Sequence, residues 1–286
     1  MIERIAILGT GLLGTSVGLA LRAAGFAGSI TGWNRGVDGA QVALERAAIA
    51  AIAANPMEAA RNADVTVLCV PIYATLDLME QLASVLGPQH LLTDVGSTKR
   101  VLAEAGARLY NAPDRAAFLP GHPMAGKERG GAELADAGLF RNAVWLFTDD
   151  PNAQRSPRGA ELVSGWRALV AGLGARTLDL DPARHDELVA WVSHLPQFTA
   201  TALSALLEEE VGDAPELKDV GGRALREMTR LGASPYSMWR DIASTNTEPI
   251  ERALAKLEQR IAHLRENLRT PGLREEFDQA NKFRKE

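Results

Sequence analysis

Short hydrophobic runs recur along the first 180 residues, and stretches with helical periodicity separate them. The strand-like runs are 4–8, 29–33, 64–70, 90–95, 117–119, 143–148 and 176–180. Helical stretches include 16–24, 75–86 and 99–109. Alternation of this kind is typical of an α/β domain with a parallel, doubly wound sheet, whose functional sites lie at the carboxyl ends of the strands.

The pattern changes to helices after residue 180. A long helix is predicted from His185 onwards, and Pro196 is expected to kink it because proline lacks a backbone N–H. Further on, apolar residues alternate at spacings of four and three, which indicates a packing seam against a second subunit. The seam consists of Ile250, Leu254, Leu257, Ile261, Leu264 and Leu268. We therefore predict two domains, 1–180 and 181–286, and a homodimer formed through the helical one.

A glycine-rich loop follows the first strand directly and leads into a helix. Its sequence, Gly9-Thr10-Gly11-Leu12-Leu13-Gly14, has the spacing and context of a dinucleotide-binding turn. Gly9 permits the tight turn, Gly11 lets the backbone approach a pyrophosphate, and Gly14 brings the helix close to the strand. The amides of the helix N-terminus, those of Leu12 and Leu13 among them, favour an anion. The alternative is a glycine-rich turn without a ligand.

The choice of cofactor depends on the residues after the second strand. An enzyme that binds NAD usually has Asp or Glu about twenty residues past the glycines, to bond the ribose 2′-hydroxyl. This chain has Asn34 and Arg35 instead. An amide and a guanidinium suit a 2′-phosphate, so we predict NADP in preference to NAD. The alternative is that Arg35 is a solvated loop charge or stacks on the adenine.

Three further segments lie at predicted strand ends. They are Val70-Pro71, which we expect to contact the dinucleotide, the run Asp94-Val95-Gly96-Ser97-Thr98-Lys99, and His122 within Pro120-Gly121-His122-Pro123-Met124-Ala125-Gly126. The prolines restrict the backbone and the glycines permit turns, so this segment is expected to present an imidazole at the mouth of a strand. Ser97 and His122 are predicted to face one crevice. Alternatively, Ser97 caps a helix and His122 is solvated in an ordinary turn.

Two candidate ligand-binding groups lie in the helical half. His194, after Ser193, stands beside the predicted kink, where freed backbone groups and side chains meet a ligand; alternatively it is a buried histidine that caps the broken helix. Arg230 is the best candidate cation for an anionic substrate, because guanidinium pairs with carboxylate through two bonds. Its alternative is a surface ion pair with a nearby glutamate.

The composition is ordinary for a soluble globular protein. Of 286 residues, 46% are hydrophobic, and the net charge of −5 argues against a nucleic-acid surface. The single cysteine rules out an internal disulfide and fits a reducing compartment. Nothing in the sequence resembles a signal peptide. No apolar run approaches the length of roughly 20 residues that is needed to span a bilayer. We predict a cytoplasmic protein that binds a small-molecule substrate. We expect it to bind no nucleic acid, no membrane and no metal.

Taken in order, these motifs resemble those of the prephenate/arogenate dehydrogenase family of tyrosine biosynthesis. The resemblance covers nearly the whole chain. It rests on the glycine loop, Asp94 to Lys99, Gly121 to Gly126, Ser193-His194-Leu195-Pro196, Thr229-Arg230 and Met238-Trp239-Arg240-Asp241.

The resemblance implies a Rossmann-type dinucleotide-binding domain, followed by an all-helical dimerisation domain. It implies oxidative decarboxylation of prephenate to 4-hydroxyphenylpyruvate with hydride transfer to NAD(P)+. Since no chorismate mutase or regulatory domain fits beyond Glu286, we expect the minimal, monofunctional form. The implied roles are His122 as the catalytic histidine, Ser97 as its hydroxyl partner, Arg230 on a substrate carboxylate, His194 and Trp239 along the pocket, and Glu128 near the entrance.

One departure from the family pattern concerns substrate choice. Members strict for prephenate tend to read Ser-His-Leu-Pro-His, whereas the last position here is Gln197. An arogenate or dual-specificity cyclohexadienyl dehydrogenase is therefore the main alternative. Another hydroxyacid or imine dehydrogenase, or a non-enzymatic NADP-binding sensor, remains a more distant one.

Overall fold

The first half of the chain is built on a six-stranded parallel sheet in the order β3-β2-β1-β4-β5-β6. The computed structural model describes residues 1–285. The strands are β1 Arg4–Leu8, β2 Ser29–Trp33, β3 Ala51–Ile52, β4 Val65–Leu68, β5 Leu91–Asp94 and β6 Ala117–Leu119. The intervening helices are α1 Leu12–Ala23, α2 Val37–Glu45, α3 Pro56–Arg61, α4 Ile72–Leu82 and α5 Arg100–Tyr110. The predicted doubly wound α/β sheet is confirmed.

The central strand β1 separates two hydrophobic cores. Ile5 and Ile7 belong to one cluster of buried residues, whereas Ala6 and Leu8 belong to the other. Because successive side chains of a strand point to opposite faces, helices must cover the sheet on both sides. This explains why the strands read as continuous apolar runs.

A second sheet of three strands follows, and it corrects one expectation. It contains β7 Gly121–Pro123, β8 Val144–Phe147 and β9 Arg176–Asp179, with helix α6 Pro157–Gly172 between the last two. The runs 143–148 and 176–180 thus form strands, but outside the first sheet. The chain leaves that sheet at Pro120, which has no N–H to donate and whose carbonyl accepts a hydrogen bond from the N–H of Thr148.

The second half is helical throughout. Its helices are α7 Pro182–Val189, α8 Leu195–Val211, α9 Leu217–Val220, α10 Arg223–Thr229, α11 Tyr236–Thr245, α12 Thr247–Glu266 and α13 Gly272–Lys285. A π-helical segment, Ala190–His194, joins α7 to α8, and Pro196 is the second residue of α8. The helix therefore accommodates the proline with a widened turn, a common solution where the regular hydrogen-bond ladder is interrupted.

The helical half has a small core of its own and is joined to the first half by polar contacts. Ala190, Ile242 and Ile250 are its main buried apolar cluster. Across the junction, Thr98 and Thr245 share a hydrogen bond of 2.8 Å between their hydroxyls. Within residues 1–285, no helix combines the length and apolar character needed to cross a membrane.

Candidate active site

The glycine loop has the shape that a dinucleotide requires. Gly9 adopts φ +104°, and a Cβ there would collide with the carbonyl oxygen of Cys69. A Cβ on Gly14 would collide with the carbonyl of Gly9, whereas a Cβ on Gly11 would meet no atom within 4 Å. The open side of the loop is therefore at Gly11, the N-cap of α1. No side chain caps this helix and its first turn holds no acidic residue, so its amides are available to an anion.

The expected cofactor-discriminating residues lie at the end of β2, beside this loop. Asn34 donates from Nδ2 to the carbonyl of Gly36 at 2.9 Å. A Cβ built on Gly39 would lie 3.1 Å from Asn34 Nδ2 and 3.3 Å from the Thr10 carbonyl, which places the amide next to the glycine loop. Arg35 is exposed and forms no ion pair with any residue that the structure describes.

A second expected cofactor segment lies at the end of β4. Val70 is half-buried, and Pro71 is the N-cap of α4. The carbonyl of Cys69, directly before them, borders Gly9. The glycine loop after β1 and the Val70-Pro71 segment after β4 thus lie side by side at the carboxyl ends of neighbouring strands.

His122 follows the end of β6, as expected, but it lies within a further strand, β7, so the alternative of a solvated histidine in an ordinary turn is wrong. It pairs with Leu146 of β8 in the antiparallel register. The backbone before it is held by a fully buried ion pair between Lys99 and Asp94. Lys99 Nζ also donates to the Gly121 carbonyl at 2.7 Å, and the Gly121 N–H donates to Asp94 Oδ1 at 3.2 Å. The strand position of the imidazole is therefore fixed by charged groups from the end of β5 and the start of α5.

The side chain of His122 is buried and has one hydrogen-bond partner among residues 1–285. Its Nδ1 lies 2.9 Å from Nε2 of His185, and its Nε2 has no protein partner there. Burial lowers the pKa of His122 well below its usual value, and the neighbouring His185, Lys99 and His194 lower it further. His122 is consequently neutral at pH 7, with a ring nitrogen available as a proton acceptor.

Ser97 lies in the turn between β5 and α5 and is half-buried. The helix-cap alternative for it is wrong, because the N-cap of α5 is Lys99. The first amides of this helix are instead satisfied by Asp186 of α7. The Lys99 N–H donates to Asp186 Oδ1 at 2.7 Å, and the Arg100 N–H donates to Oδ2 at 2.9 Å. The hydroxyl of Ser97 is therefore not committed to the helix terminus.

His194 and Trp239 meet in the helical half. Their rings pack edge to face at 5.7 Å between centroids. His194 is buried, with Nδ1 3.2 Å from Nδ2 of Asn246, and burial lowers its pKa to about 4. The indole Nε1 of Trp239 is buried without a hydrogen-bond partner among the described residues. His194 is therefore buried, as the alternative interpretation expected. Its ring bonds the side chain of Asn246, however, and caps no helix.

Arg230 and Glu128 form an ion pair with each other. The pair joins the loop after β7 to a 3₁₀ turn, Arg230–Ala233, of the helical half. The Arg230 side chain is 60% exposed and that of Glu128 is 32% exposed, so the guanidinium is accessible to a ligand. Two residues singled out by resemblance are thereby brought together.

Gln197 is buried and directed at protein groups. Its Nε2 donates to the carbonyl of Leu231 at 2.7 Å and to Thr201 Oγ1 at 3.2 Å. Its Oε1 accepts from the hydroxyl of Ser234 at 3.0 Å. Gln197 therefore holds the turn that carries Arg230 against α8.

Three residues that hold His122, directly or through one neighbouring group, escaped the sequence reasoning as site residues: Lys99, His185 and Asp186. Their signal was present but weak. His185 and Asp186 stand one turn before Val189 and Ala190 on the buried side of α7, so two polar residues interrupt an apolar stripe. Lys99 is a charged residue at the end of an otherwise buried segment.

Models of known protein families match most of the chain. The model described as "Prephenate dehydrogenase, nucleotide-binding domain" matches residues 17–177. The model described as "Prephenate dehydrogenase, dimerization domain" matches residues 181–283.

Individual relatives carry related names. A prephenate dehydrogenase of Lactococcus lactis subsp. cremoris is 30% identical over 247 residues, which are 86% of this chain and 66% of the relative. A prephenate dehydrogenase of Bacillus subtilis is 29% identical over 252 residues, 87% of this chain and 66% of the relative. The chain thus spans about two thirds of the length of both relatives.

Among solved structures, that of Synechocystis arogenate dehydrogenase superposes with a TM-score of 0.77. It is 28% identical to this chain and covers 99% of it, while the chain covers 99% of that structure. The similarity therefore includes both the sheet domain and the helical half.

Proposed function

Because this chain belongs to the prephenate dehydrogenase family, we propose that it catalyses the NAD(P)-dependent oxidative decarboxylation of prephenate to 4-hydroxyphenylpyruvate. The observation that carries the proposal is His122. It is a buried, neutral imidazole whose Nε2 has no protein partner in residues 1–285. Gly121, directly before it, bonds Asp94 at the carboxyl end of β5, and the glycine loop follows the carboxyl end of β1 in the same parallel sheet. We assign residues 1–180 to the dinucleotide and residues 181–286 to substrate binding and dimerisation.

In this mechanism His122 is the general base. Its Nε2 accepts the proton of the 4-hydroxyl of the substrate, which strengthens hydride loss from the same carbon. Ser97 orients the hydroxyl. A nicotinamide dinucleotide held by the glycine loop would supply the acceptor for that hydride. The ring carboxylate leaves as CO2, and its electron pair moves through the ring to the C4 oxygen, which recovers the proton from His122. The product ring is aromatic, so the step is effectively irreversible.

Arg230 binds a substrate carboxylate in this proposal. Its guanidinium is accessible and already carries a carboxylate partner, Glu128. A substrate carboxylate can replace that partner because a guanidinium binds any carboxylate with the same two-pronged geometry. His194 and Trp239 form the neighbouring wall, and Gln197 supports the Arg230 turn.

A direct assay tests the proposed activity. Purified protein is mixed with prephenate or arogenate and with NAD or NADP, and the reduced nicotinamide is followed by absorbance. We expect reduction with prephenate. Absence of reduction in all four combinations contradicts the proposal and favours a cofactor-binding sensor.

Arogenate is the second candidate substrate. It carries an amino group where prephenate has a keto group, and the similar Synechocystis structure is named an arogenate dehydrogenase. Gln197 stands where prephenate-strict members have histidine, and its amide is fully engaged inside the protein. A kcat/KM that is higher for arogenate than for prephenate in the same assay assigns the chain to this alternative.

We further propose that NADP is preferred and NAD tolerated. Arg35 is exposed, has no ion-pair partner among the described residues, and lies beside Asn34 at the glycine loop. A charge-assisted hydrogen bond contributes about 1.5–3 kcal/mol, which corresponds to roughly tenfold or more in preference. Arg35→Ala should therefore weaken NADP binding about tenfold and leave NAD binding unchanged. Titration of both cofactors checks this, and equal weakening of the two shows that Arg35 does not bind the phosphate.

The proposed assembly is a homodimer through the helical half. The dimerization-domain model covers residues 181–283. The stripe on α12 is only partly used within one chain: Ile250 is buried in its own core, whereas Ile261 is 55% exposed, and Leu268, just past the helix end, is exposed as well. A second subunit would cover the unused part.

A further inference from the structure

His122 is the first member of a buried chain of three side chains that spans the two halves of the protein. Its Nδ1 lies 2.9 Å from Nε2 of His185, and Nδ1 of His185 lies 2.8 Å from Oδ1 of Asp186. His185 and Asp186 are 0% and 2% exposed. Three buried groups joined end to end leave few ways to place the protons.

The direction of the hydrogen bonds follows from Asp186. Its two oxygens accept the backbone N–H groups of Lys99 and Arg100, donors that cannot reverse. Hydrogen bonds from amides stabilise a carboxylate over a carboxylic acid, so the proton shared with His185 resides on the imidazole, at Nδ1.

The second imidazole transmits this choice to the first. Burial lowers the pKa of His185, and Lys99 lowers it further against the raising effect of Asp186, so the ring is neutral at pH 7. A neutral imidazole has one donor and one acceptor nitrogen. With Nδ1 protonated, Nε2 of His185 accepts, and the donor facing it is the Nδ1–H of His122.

We propose that His185 and Asp186 are positioning residues that fix His122 in the tautomer with a protonated Nδ1 and a bare Nε2. This inference rests on the proposed function for its purpose, because only a bare Nε2 can accept the substrate proton. In the opposite tautomer Nε2 would carry a hydrogen and His122 could not act as the base. The arrangement also stabilises the imidazolium formed in the reaction, which keeps its Nδ1–H bond to His185 and, through it, to Asp186. Serine proteases use a carboxylate on their histidine for the same purpose.

The wild-type protein allows the first test. In full-length protein with isotope-labelled histidine, 15N–1H correlation spectra distinguish a protonated ring nitrogen from a bare one. The chain has five histidines, and the His122 signals are assigned by their loss in His122→Asn. We expect a protonated Nδ1 and a bare Nε2 on His122 at pH 7. A protonated Nε2 with a bare Nδ1 overturns the inference, whether or not the enzyme is active.

Substitution of His185 gives the second test. His185→Phe keeps a planar ring but has neither nitrogen. We expect the bare-Nε2 tautomer of His122 to lose its dominance and kcat for prephenate to fall about 10²-fold or more, with KM and cofactor affinity within about twofold. His185→Gln, whose Oε1 can accept from His122 Nδ1–H, should recover part of kcat.

His90→Phe is the matched control. His90 bonds Gly87 and Arg61, away from this chain of groups, so kcat and the His122 tautomer should stay at wild-type values. An unchanged tautomer and kcat in folded His185→Phe overturns the inference. An inactive wild type with the expected tautomer instead contradicts the proposed function alone, so the two failures can be told apart.

Discussion

At the scale of single residues, the active-site proposal depends on His122. Replacement by asparagine removes the base but keeps a small polar side chain in β7. We expect His122→Asn to lower kcat by about 10²–10⁴-fold, the usual contribution of general acid–base catalysis, and to leave cofactor binding intact. Steady-state kinetics and cofactor titration measure the two effects. Near-normal turnover would remove His122 from the mechanism.

The same residue predicts the pH dependence. The neutral imidazole is the active form, so kcat/KM is lost as the pH falls through the pKa of His122. Burial, His185 and Lys99 hold that pKa well below the usual 6.5, so activity should persist below pH 6.5 and decline only at lower pH. A pH profile of kcat/KM checks this. An acid limb with its midpoint at 6.5 or above would contradict the assignment.

At the scale of elements, the proposed substrate site depends on a short turn that is held in place by a residue of a neighbouring helix. The turn Arg230–Ala233 carries the proposed carboxylate-binding group, and Gln197 of α8 secures it through Leu231 and Ser234. In this proposal, substrate binding therefore requires that the turn stay fixed in position against α8.

Two substitutions separate the cation from its support. Truncating a charged partner costs about 2–5 kcal/mol, and the exposure of Arg230 favours the lower end, so Arg230→Ala should raise KM roughly thirtyfold. Gln197→Leu should raise KM in the same direction but less, with kcat nearly unchanged. Thr199→Val is the control, because Thr199 bonds only Leu195 within α8. If KM is unchanged in Arg230→Ala, Arg230 belongs to a surface ion pair only.

At the scale of the whole molecule, the two halves differ in how far each is stabilised by its own core. The sheet domain encloses two large apolar clusters, whereas the main buried apolar cluster of the helical half comprises three residues. Phe277 and Phe283 of α13 are 62% and 80% exposed. Apolar surface of this extent in one half indicates burial between subunits.

Leu257→Asp or Leu264→Asp should therefore weaken or dissolve the dimer, because each places a charge in the seam on α12. Light scattering at micromolar concentration measures the assembly. Val37→Asp, at an exposed apolar position of the sheet domain, should leave it unchanged. A wild-type protein that is monomeric at micromolar concentration would contradict the proposed homodimer.

The sequence by itself determined the features that depend on local pattern. Alternating apolar runs and helical stretches predicted the parallel sheet, and the spacing of Gly9, Gly11 and Gly14 predicted the turn that the structure contains. These predictions succeed because periodicity and the backbone freedom of glycine act over a few neighbouring residues. The same reasoning singled out His122 and Arg230 as candidate site residues and placed His122 after a strand, but it did not predict that His122 itself lies in strand β7.

Only the tertiary structure decided which groups meet. The separate three-stranded sheet depends on pairing between distant segments, which no local pattern records. His122 and His185 are 63 positions apart, and Lys99 and Asp186 are 87 apart. A hydrogen bond between residues so far separated leaves no periodic trace, because its geometry arises only after both domains have packed. The partners of the imidazole therefore became apparent only in the folded chain.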